Sequence, residues 1–214
     1  NKNLKNFSIS SCDMEDISKV SEETDSNNTL EMLDVSNNNT TRYMSNFSIV
    51  LNNFISLIFL NLEGTLVDLK LVSAYLKINP GLKTLILTCN EIQSVDDLNY
   101  LENINHLNIS RNNIRDNGII NLVNKLKKND LSTLNISFNN IKKTGFKYLC
   151  DNLSFFTNLK IIYSTGNATD NNSFLYLLKS LKNNTVLREY NNLSFNFFGK
   201  RRNDGGLIMY HEFF

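Results

Sequence analysis

The sequence predicts an α/β solenoid, in which an inner parallel β-sheet is covered by an outer layer of helices. Three observations support this prediction. A short pattern of apolar residues and asparagine occurs in six full copies and a degenerate seventh, the copies start 22 to 28 residues apart, and apolar residues at helical spacing follow the later copies. Regular self-similarity at such a period is typical of repeat proteins, whose units stack on one continuous core.

Each copy places apolar residues at relative positions 1, 4 and 6 and asparagine at position 9. The clearest copies read INHLNISRNN and LSTLNISFNN. Two copies deviate, since Thr65 replaces the asparagine of one and Ser164 replaces the third apolar residue of another. The copies start at Leu30, Leu57, Leu82, Ile104, Leu131, Leu159 and Leu187. Alternation of inward and outward residues around position 4 predicts a short strand in every copy.

The second half of the later copies predicts a helix. Apolar residues recur at offsets of 7, 10, 11 and 14 residues after the asparagines of three copies, Asn112, Asn139 and Asn167. This spacing puts them on one face of a helix. Candidate N-cap residues precede these apolar faces at Asp116, Thr144 and Asn172. Strand and helix would then pack their apolar faces into one shared core.

The recurring asparagines at position 9 are predicted to be structural. They are Asn38, Asn90, Asn112, Asn139 and Asn167. When such units stack, each side-chain amide can satisfy backbone groups at the turn that leaves the strand. We therefore expect a buried ladder of amides and assign these residues no part in an active site.

The pattern L-x-x-L-x-L-x-x-N-x-L resembles that of the leucine-rich repeat superfamily over residues 30–196. The last three full units resemble the ribonuclease-inhibitor type. The unit from Leu82, with NEIQSVDDLNYLENI, resembles the shorter type of phosphatase regulators and dynein-light-chain relatives. The resemblance implies a horseshoe-shaped solenoid whose concave sheet is available to a partner protein.

Three segments follow from the repeat boundaries. Residues 1–29 are predicted to be an acidic polar tail or an N-terminal cap, residues 30–196 the repeat domain, and residues 197–214 a C-terminal cap or a truncated repeat. Residues 1–40 hold 3 basic and 8 acidic side chains, a net charge of −5, and the remainder holds 19 and 13, a net charge of +6. Solenoids need caps because their end units otherwise expose the core.

The alternation also predicts the surface. Positions 3, 5 and 7 should point out of the concave sheet, with position 8 at its border. The predicted partner-binding residues occupy positions 3, 5 and 8 and are Phe59, Asn61, Ile86, His106, Asn108, Arg111, Asn135, Phe138, Ile161 and Tyr163. The predicted anchors are the apolar and aromatic side chains of Phe59, Ile86, Ile161 and Tyr163, and Arg111 and Phe138 flank them. Edges and convex helices stay open as alternative binding surfaces.

Other function classes receive little support. The net charge of +1 lacks the basic excess of a polyanion binder, which argues against nucleic acid. No window predicts a membrane span, no residue cluster has metal-ligand spacing, and no nucleotide-binding motif occurs. We therefore expect a protein without catalytic residues, cofactor or metal. Three cysteines, an odd number, favour a reducing intracellular compartment, the cytoplasm. The chain starts at Asn1, which is compatible with a missing N-terminus.

The predicted function is a non-catalytic scaffold that binds another protein through its rigid curved surface. Two alternatives stay open. The chain could be the regulatory subunit of an enzyme on another chain, of the kind that regulates phosphatases or small GTPases, or an architectural subunit of a larger assembly. The proteins that co-purify with the chain would discriminate among the three.

Overall fold

The computed structural model describes residues 3–12, 29–38, 51–127, 129–168, 171–182, 184–192, 197–201 and 207–211. Its strands form one sheet in chain order. They are β1 (Asn6–Ser8), β2 (Met32–Asp34), β3 (Phe59–Asn61), β4 (Thr84–Ile86), β5 (His106–Asn108), β6 (Thr133–Asn135), β7 (Ile161–Tyr163), β8 (Glu189–Asn192), β9 (Phe197–Arg201) and β10 (Leu207–His211). Consecutive strands from β1 to β8 pair in parallel. The α/β solenoid is confirmed.

The strand register matches the repeat alignment. Position 3 of each copy pairs with position 3 of the next, through Met32, Phe59, Thr84, His106, Thr133, Ile161 and Glu189. Because parallel strands in this register stack equivalent residues, each repeat position becomes a column that runs across the sheet.

An additional copy precedes those found in the sequence. Asn6 of β1 pairs with Met32, which puts Leu4, Phe7 and Ile9 at positions 1, 4 and 6. This copy departs from the repeat pattern because a cysteine, Cys12, occupies position 9. The strand lies within the segment predicted to be a tail or cap, and the boundary at residue 29 stays a prediction.

The last two strands depart from the parallel pattern. β9 pairs antiparallel with β8, and β10 pairs antiparallel with β9. Only residues 193–196 separate β8 from β9. A parallel crossover needs about a dozen residues. A connection of this length can therefore only reverse the direction of the chain. The expected parallel sheet therefore ends at β8, and the predicted C-terminal segment adds two antiparallel strands.

The outer layer contains α1 (Leu69–Ile78), α2 (Arg115–Leu126), α3 (Lys143–Asp151), a short 3-10 helix (Leu153–Phe155) and α4 (Asn171–Leu181). The 22-residue unit from Leu82 has no helix between residues 91 and 105. Its Val95, Leu98 and Leu101 are buried from turns instead. So short a unit leaves no room for a helix in addition to the two connections to the sheet.

The N-cap prediction was wrong for two of the three residues. Asp116 and Thr144 lie inside the first turns of α2 and α3, whose N-caps are Ile114 and Lys142 and make no side-chain capping bond. Asp116 instead accepts a hydrogen bond at Oδ1 from the backbone N–H of Lys142, at 2.7 Å. It thus stabilises the start of the next helix. Asn172 lies in the first turn of α4, and its side chain falls outside the described set.

The core runs along the whole solenoid between sheet and helices. The apolar residues at positions 1, 4 and 6 from Leu30 to Ile162 are at most 1% exposed. Burial of each such side chain contributes about 2 kcal/mol. At position 6 of its copy, Ser164 is also buried, and its hydroxyl lies 2.6 Å from that of Tyr190. The two hydroxyls satisfy each other, so the core tolerates this polar replacement.

The asparagine ladder is confirmed. Asn112 is typical: its Nδ2 donates to the carbonyls of Leu87 and Ile109, each at 2.9 Å. Its Oδ1 accepts from the backbone N–H groups of Asn90 and Ile92, at 2.9 and 3.0 Å. One side chain therefore connects its own turn to the preceding repeat.

A second set of buried asparagines bonds to backbone carbonyls near the start of the strands. Asn79, Asn129 and Asn184 are buried two or three residues before position 1 of a copy. The Nδ2 groups of Asn129 and Asn184 donate to backbone carbonyls of the preceding repeat, at Leu101 and Leu153, and that of Asn79 donates to Leu57, the first residue of its own copy. Their spacing from position 1 varies, so the repeat pattern alone does not predict these residues.

Candidate functional site: the concave face and its rim

Positions 3 and 5 form two half-exposed columns on the concave face. Eight of the ten predicted partner-binding residues lie there, on β3 to β7: Phe59, Asn61, Ile86, His106, Asn108, Asn135, Ile161 and Tyr163. Their side chains are half-buried apart from His106, which is exposed. The register brings all eight onto one continuous face. Their role in binding stays a prediction.

Four position-7 residues do not contribute to this face, contrary to the prediction, whereas Glu63 and Thr165 are half-buried like the residues at positions 3 and 5. Ser36, Thr88, Ser110 and Ser137 are 4 to 6% exposed. The hydroxyls of neighbouring copies pack against one another, as between Thr88 Oγ1 and Ser110 Oγ at 3.4 Å. The strands end at position 5, so strict alternation no longer applies two residues later. The concave face is therefore narrower than predicted.

The position-5 side chains terminate the strands. Oδ1 of Asn108 accepts from the N–H of Ser110 at 3.1 Å and from its hydroxyl at 2.7 Å. Asn61 and Asn135 accept in the same way from the residue two positions later, each at 3.0 Å. This local bond is the Asx-turn geometry. It occupies the carbonyl oxygen of each amide, and within the described residues the Nδ2 groups of Asn108 and Asn135 have no hydrogen-bond partner.

Position 8 forms the rim of the face and has a left-handed backbone in all seven copies in which the structure describes it. Seven residues share φ values between 54° and 70°: Ser11, Asn37, Gly64, Cys89, Arg111, Phe138 and Gly166. This conformation favours glycine and costs other residues about 1 kcal/mol or more. The two predicted rim residues, Arg111 and Phe138, are thus held at strained positions.

Arg111 and Phe138 stack on each other. The guanidinium carbon lies 4.7 Å from the centre of the ring, and the Phe138 side chain is 44% exposed. A Cβ added to Gly166 would overlap this ring, so the ring covers the next copy along the rim. The structure thereby brings together two residues that are 27 positions apart in the sequence.

Cys89 adjoins Arg111 on the rim. The two residues line one depression together with Glu91 and Gln93. Desolvation raises the pKa of the Cys89 thiol above its ordinary value, the charge of Glu63 adds to this, and Arg111 opposes it. A raised pKa disfavours the reactive thiolate at neutral pH. Across the described residues, no three His, Cys, Asp or Glu side chains converge as a metal site would require.

The convex side carries exposed apolar groups that the sequence analysis did not single out. Phe155 and Leu175 are 54% and 52% exposed. Lys127 lies over the rings of Tyr148 and Phe155, at 5.5 and 5.2 Å from their centres. No helix in the described part of the chain has the length and apolarity needed to cross a bilayer.

The buried thiol of Cys150 predicts a pH dependence of stability. Burial raises its pKa from 9.0 to about 12. Above pH 9 the unfolded state loses the proton that the folded state keeps, so the unfolding free energy should fall with pH up to about 12. The slope from this one group is about 1.4 kcal/mol per pH unit. Urea unfolding of the wild type and of Cys150→Ala between pH 8 and 10.5 measures it, and equal slopes would contradict the prediction.

The comparisons with known proteins agree with this architecture. A leucine-rich repeat family model matches residues 100–123 and 127–150. Internalin C2 from Listeria monocytogenes aligns with a TM-score of 0.59 and 21% identity over 86% of this chain and 69% of its own. A second Listeria monocytogenes internalin, inlF, aligns with a TM-score of 0.53 and 15% identity over 89% and 67%. No curated protein matches the sequence significantly.

Identities this low show the shared fold and nothing about the partners. The assignment of single units to the ribonuclease-inhibitor and phosphatase-regulator types stays a prediction. The repeat register, the family match and the shared fold together place the chain in the leucine-rich repeat superfamily.

Proposed function

We propose that the protein is a non-catalytic scaffold that binds a partner protein through its concave face. The observation that carries the proposal is the pair of in-register columns at positions 3 and 5, half-exposed over β3 to β7. Extended faces built from stacked repeats are the surfaces on which solenoid proteins bind partners.

The distribution of side chains on this face supports binding. Phe59 and Ile86 lie toward one end of the columns, and Ile161 and Tyr163 lie toward the other. The strands between them present amides and hydroxyls. Apolar anchors with polar groups between them are typical of protein interfaces, in which a few large side chains supply most of the affinity.

Rigidity is the second support. The five ladder asparagines fix the ends of their strands to the preceding repeat, so the columns are preformed before a partner arrives. A preformed surface loses little conformational entropy on association.

The unpaired state of Cys12, Cys89 and Cys150 supports a reducing, cytoplasmic setting as part of the same proposal.

The exposed convex residues favour one alternative, an architectural subunit bound through its outer layer. Phe155 and Leu175 are more exposed than any anchor on the concave face. An exposed apolar patch is often an interaction site. Regulation of an enzyme on another chain remains the third candidate, and the identity of the captured partner would separate it from the other two.

The test compares single variants of the two surfaces. The purified chain is used to capture partners from an extract of its own cells, and the recovered protein is then titrated against each variant. We expect Ile86→Ala and Tyr163→Ala to weaken binding about tenfold, the effect of losing an interface anchor. Phe155→Ala and Leu175→Ala are the matched controls on the convex side and should leave binding unchanged.

The opposite result would assign the binding site to the convex side. If the convex variants abolish capture and the concave variants do not, the scaffold binds through its outer layer. Urea unfolding of all four variants measures their unfolding free energies and so distinguishes a loss of binding from a loss of folding. Recovery of a phosphatase or a small GTPase would favour the regulatory role over the structural one.

A further inference from the structure

The middle of the concave face has no acidic side chain. The outward residues of β5 to β7 are His106, Asn108, Thr133, Asn135, Ile161 and Tyr163, and with the rim residues Arg111 and Phe138 we call them the amide platform. We propose that this platform binds an acidic, extended peptide segment of the partner protein, with one carboxylate bound by Arg111. The inference rests on the proposed concave-face function and adds the chemistry of the partner.

The first support is the excess of hydrogen-bond donors. The Asx turns occupy Oδ1 of Asn108 and Asn135, which leaves their Nδ2 groups directed away from the turn. Oδ1 of Asn108 already accepts two hydrogen bonds and Oδ1 of Asn135 accepts one, whereas both N–H donors of each Nδ2 group are available to a ligand. Two such donors lie on adjacent strands, about 5 Å apart in the ladder direction. Backbone carbonyls and side-chain carboxylates of an extended segment supply the acceptors that match them.

The second support is the environment of Arg111. Its guanidinium carbon lies over the Phe138 ring, 4.7 Å from the ring centre, and Arg111 forms no ion pair with any described residue. An aromatic ring is not a carboxylate acceptor, so this contact leaves the guanidinium available for one. The edge of a guanidinium binds a carboxylate through two parallel hydrogen bonds. The exposed part of Phe138 can then contact an apolar residue beside that carboxylate.

The third support is the placement that the rim backbone gives this pair. The left-handed conformation recurs at position 8 of the described copies, so it is a feature of the repeat. Glycine occupies it at Gly64 and Gly166, whereas Arg111 and Phe138 present a cation and an aromatic ring side by side on adjacent copies.

Acidic residues border the platform on both sides. Glu63 follows β3 at one end and Glu189 lies on β8 at the other, while Glu91 lines the rim depression beside Arg111. Like charges repel, so an acidic residue of the partner is disfavoured over these flanks and favoured over β5 to β7. The charge pattern therefore favours an acidic segment and also favours its position over β5 to β7.

The experiment uses a displayed library of random 12-residue peptides, selected on the purified full chain. We expect enriched peptides to contain Asp or Glu next to an apolar residue. Arg111→Gln should weaken their binding at least tenfold in fluorescence anisotropy, since it removes the charge and keeps a polar side chain. Lys70→Gln removes a charge from the exposed side of α1 and should change nothing.

A double-mutant cycle tests the pairing itself. Replacing the peptide carboxylate by its amide should weaken binding to the wild type tenfold and have little effect on Arg111→Gln. Neutral or basic enriched peptides, failure to enrich any peptide, or equal binding by Arg111→Gln would overturn the inference. Peptides that bind independently of Arg111 but are lost in Tyr163→Ala would reject the acidic specificity and retain the concave-face function.

Discussion

Replacing Asn139 by alanine should lower the free energy of unfolding by about 3 kcal/mol. The side chain is fully buried, and its Nδ2 donates to the carbonyls of Ile109, Ile136 and Ser137, at 2.9 to 3.2 Å. Alanine removes the donor and leaves these buried carbonyls without it. Because one of them belongs to the preceding repeat, the variant also weakens the contact between the two repeats. Urea unfolding followed by circular dichroism measures the loss.

Asn117→Ala is the matched control for this prediction. Asn117 is exposed in the first turn of α2, so its replacement should change the unfolding free energy by less than about 0.5 kcal/mol. The denaturant slope is recorded as well, because a solenoid can lose its cooperativity at one weakened interface. An Asn139 variant as stable as the wild type would show that the ladder does not hold the repeats together.

Gly145→Ala should destabilise the protein by about 2 kcal/mol, although alanine is the better helix former by about 1 kcal/mol. Gly145 is buried on α3, where a Cβ would lie 2.5 Å from Ile119 Cγ2 and 2.8 Å from the backbone Cα of Asp116, both on α2. The added methyl group would force the two helices apart. Since the helices of neighbouring repeats pack side by side, the displacement cannot be absorbed by one flexible side chain.

Thr144→Ala controls for helix propensity in the same turn. Thr144 is exposed and makes no capping bond, so alanine should be neutral or slightly stabilising there. Thermal and urea unfolding of both variants separate the two effects. A stabilised Gly145→Ala would mean that the interface between α2 and α3 accommodates an added methyl group. A strongly destabilised Thr144→Ala would indicate that Thr144 caps α3 after all.

The Asn139 and Asn117 variants address why so many asparagines occur in the chain. The asparagines at position 9, Asn129 and Asn184 bond to backbone carbonyls of the preceding repeat, and Asn79 bonds to the first residue of its own copy. Others, such as Asn61, Asn108 and Asn135, terminate strands. In each case the short amide satisfies backbone groups that a strand of three residues leaves unpaired. Asparagine at these positions is therefore structural, and only its leftover donors are available to a partner.

The candidate site could be predicted in part. Outward columns follow from alternation within a strand, so Ile86, His106 and Tyr163 were placed on the concave face from the sequence. The stack of Arg111 on Phe138 could not be predicted as a contact, because the two residues belong to different repeats and meet only through the left-handed rim. The narrowing of the face at position 7 was missed for the same reason, since neighbouring copies bury one another's hydroxyls.

The sequence by itself determined the repeat register, the core and the main asparagine ladder, because each follows from the spacing of residues within one copy. Only the tertiary structure decided the additional strand at Asn6–Ser8, the antiparallel end, the helix starts and the second set of asparagines. These features depend on what the adjacent repeat supplies: a partner strand, a carbonyl or a helix face. A pattern read within one copy contains the local periodicity, whereas contacts between copies arise only when the copies are stacked.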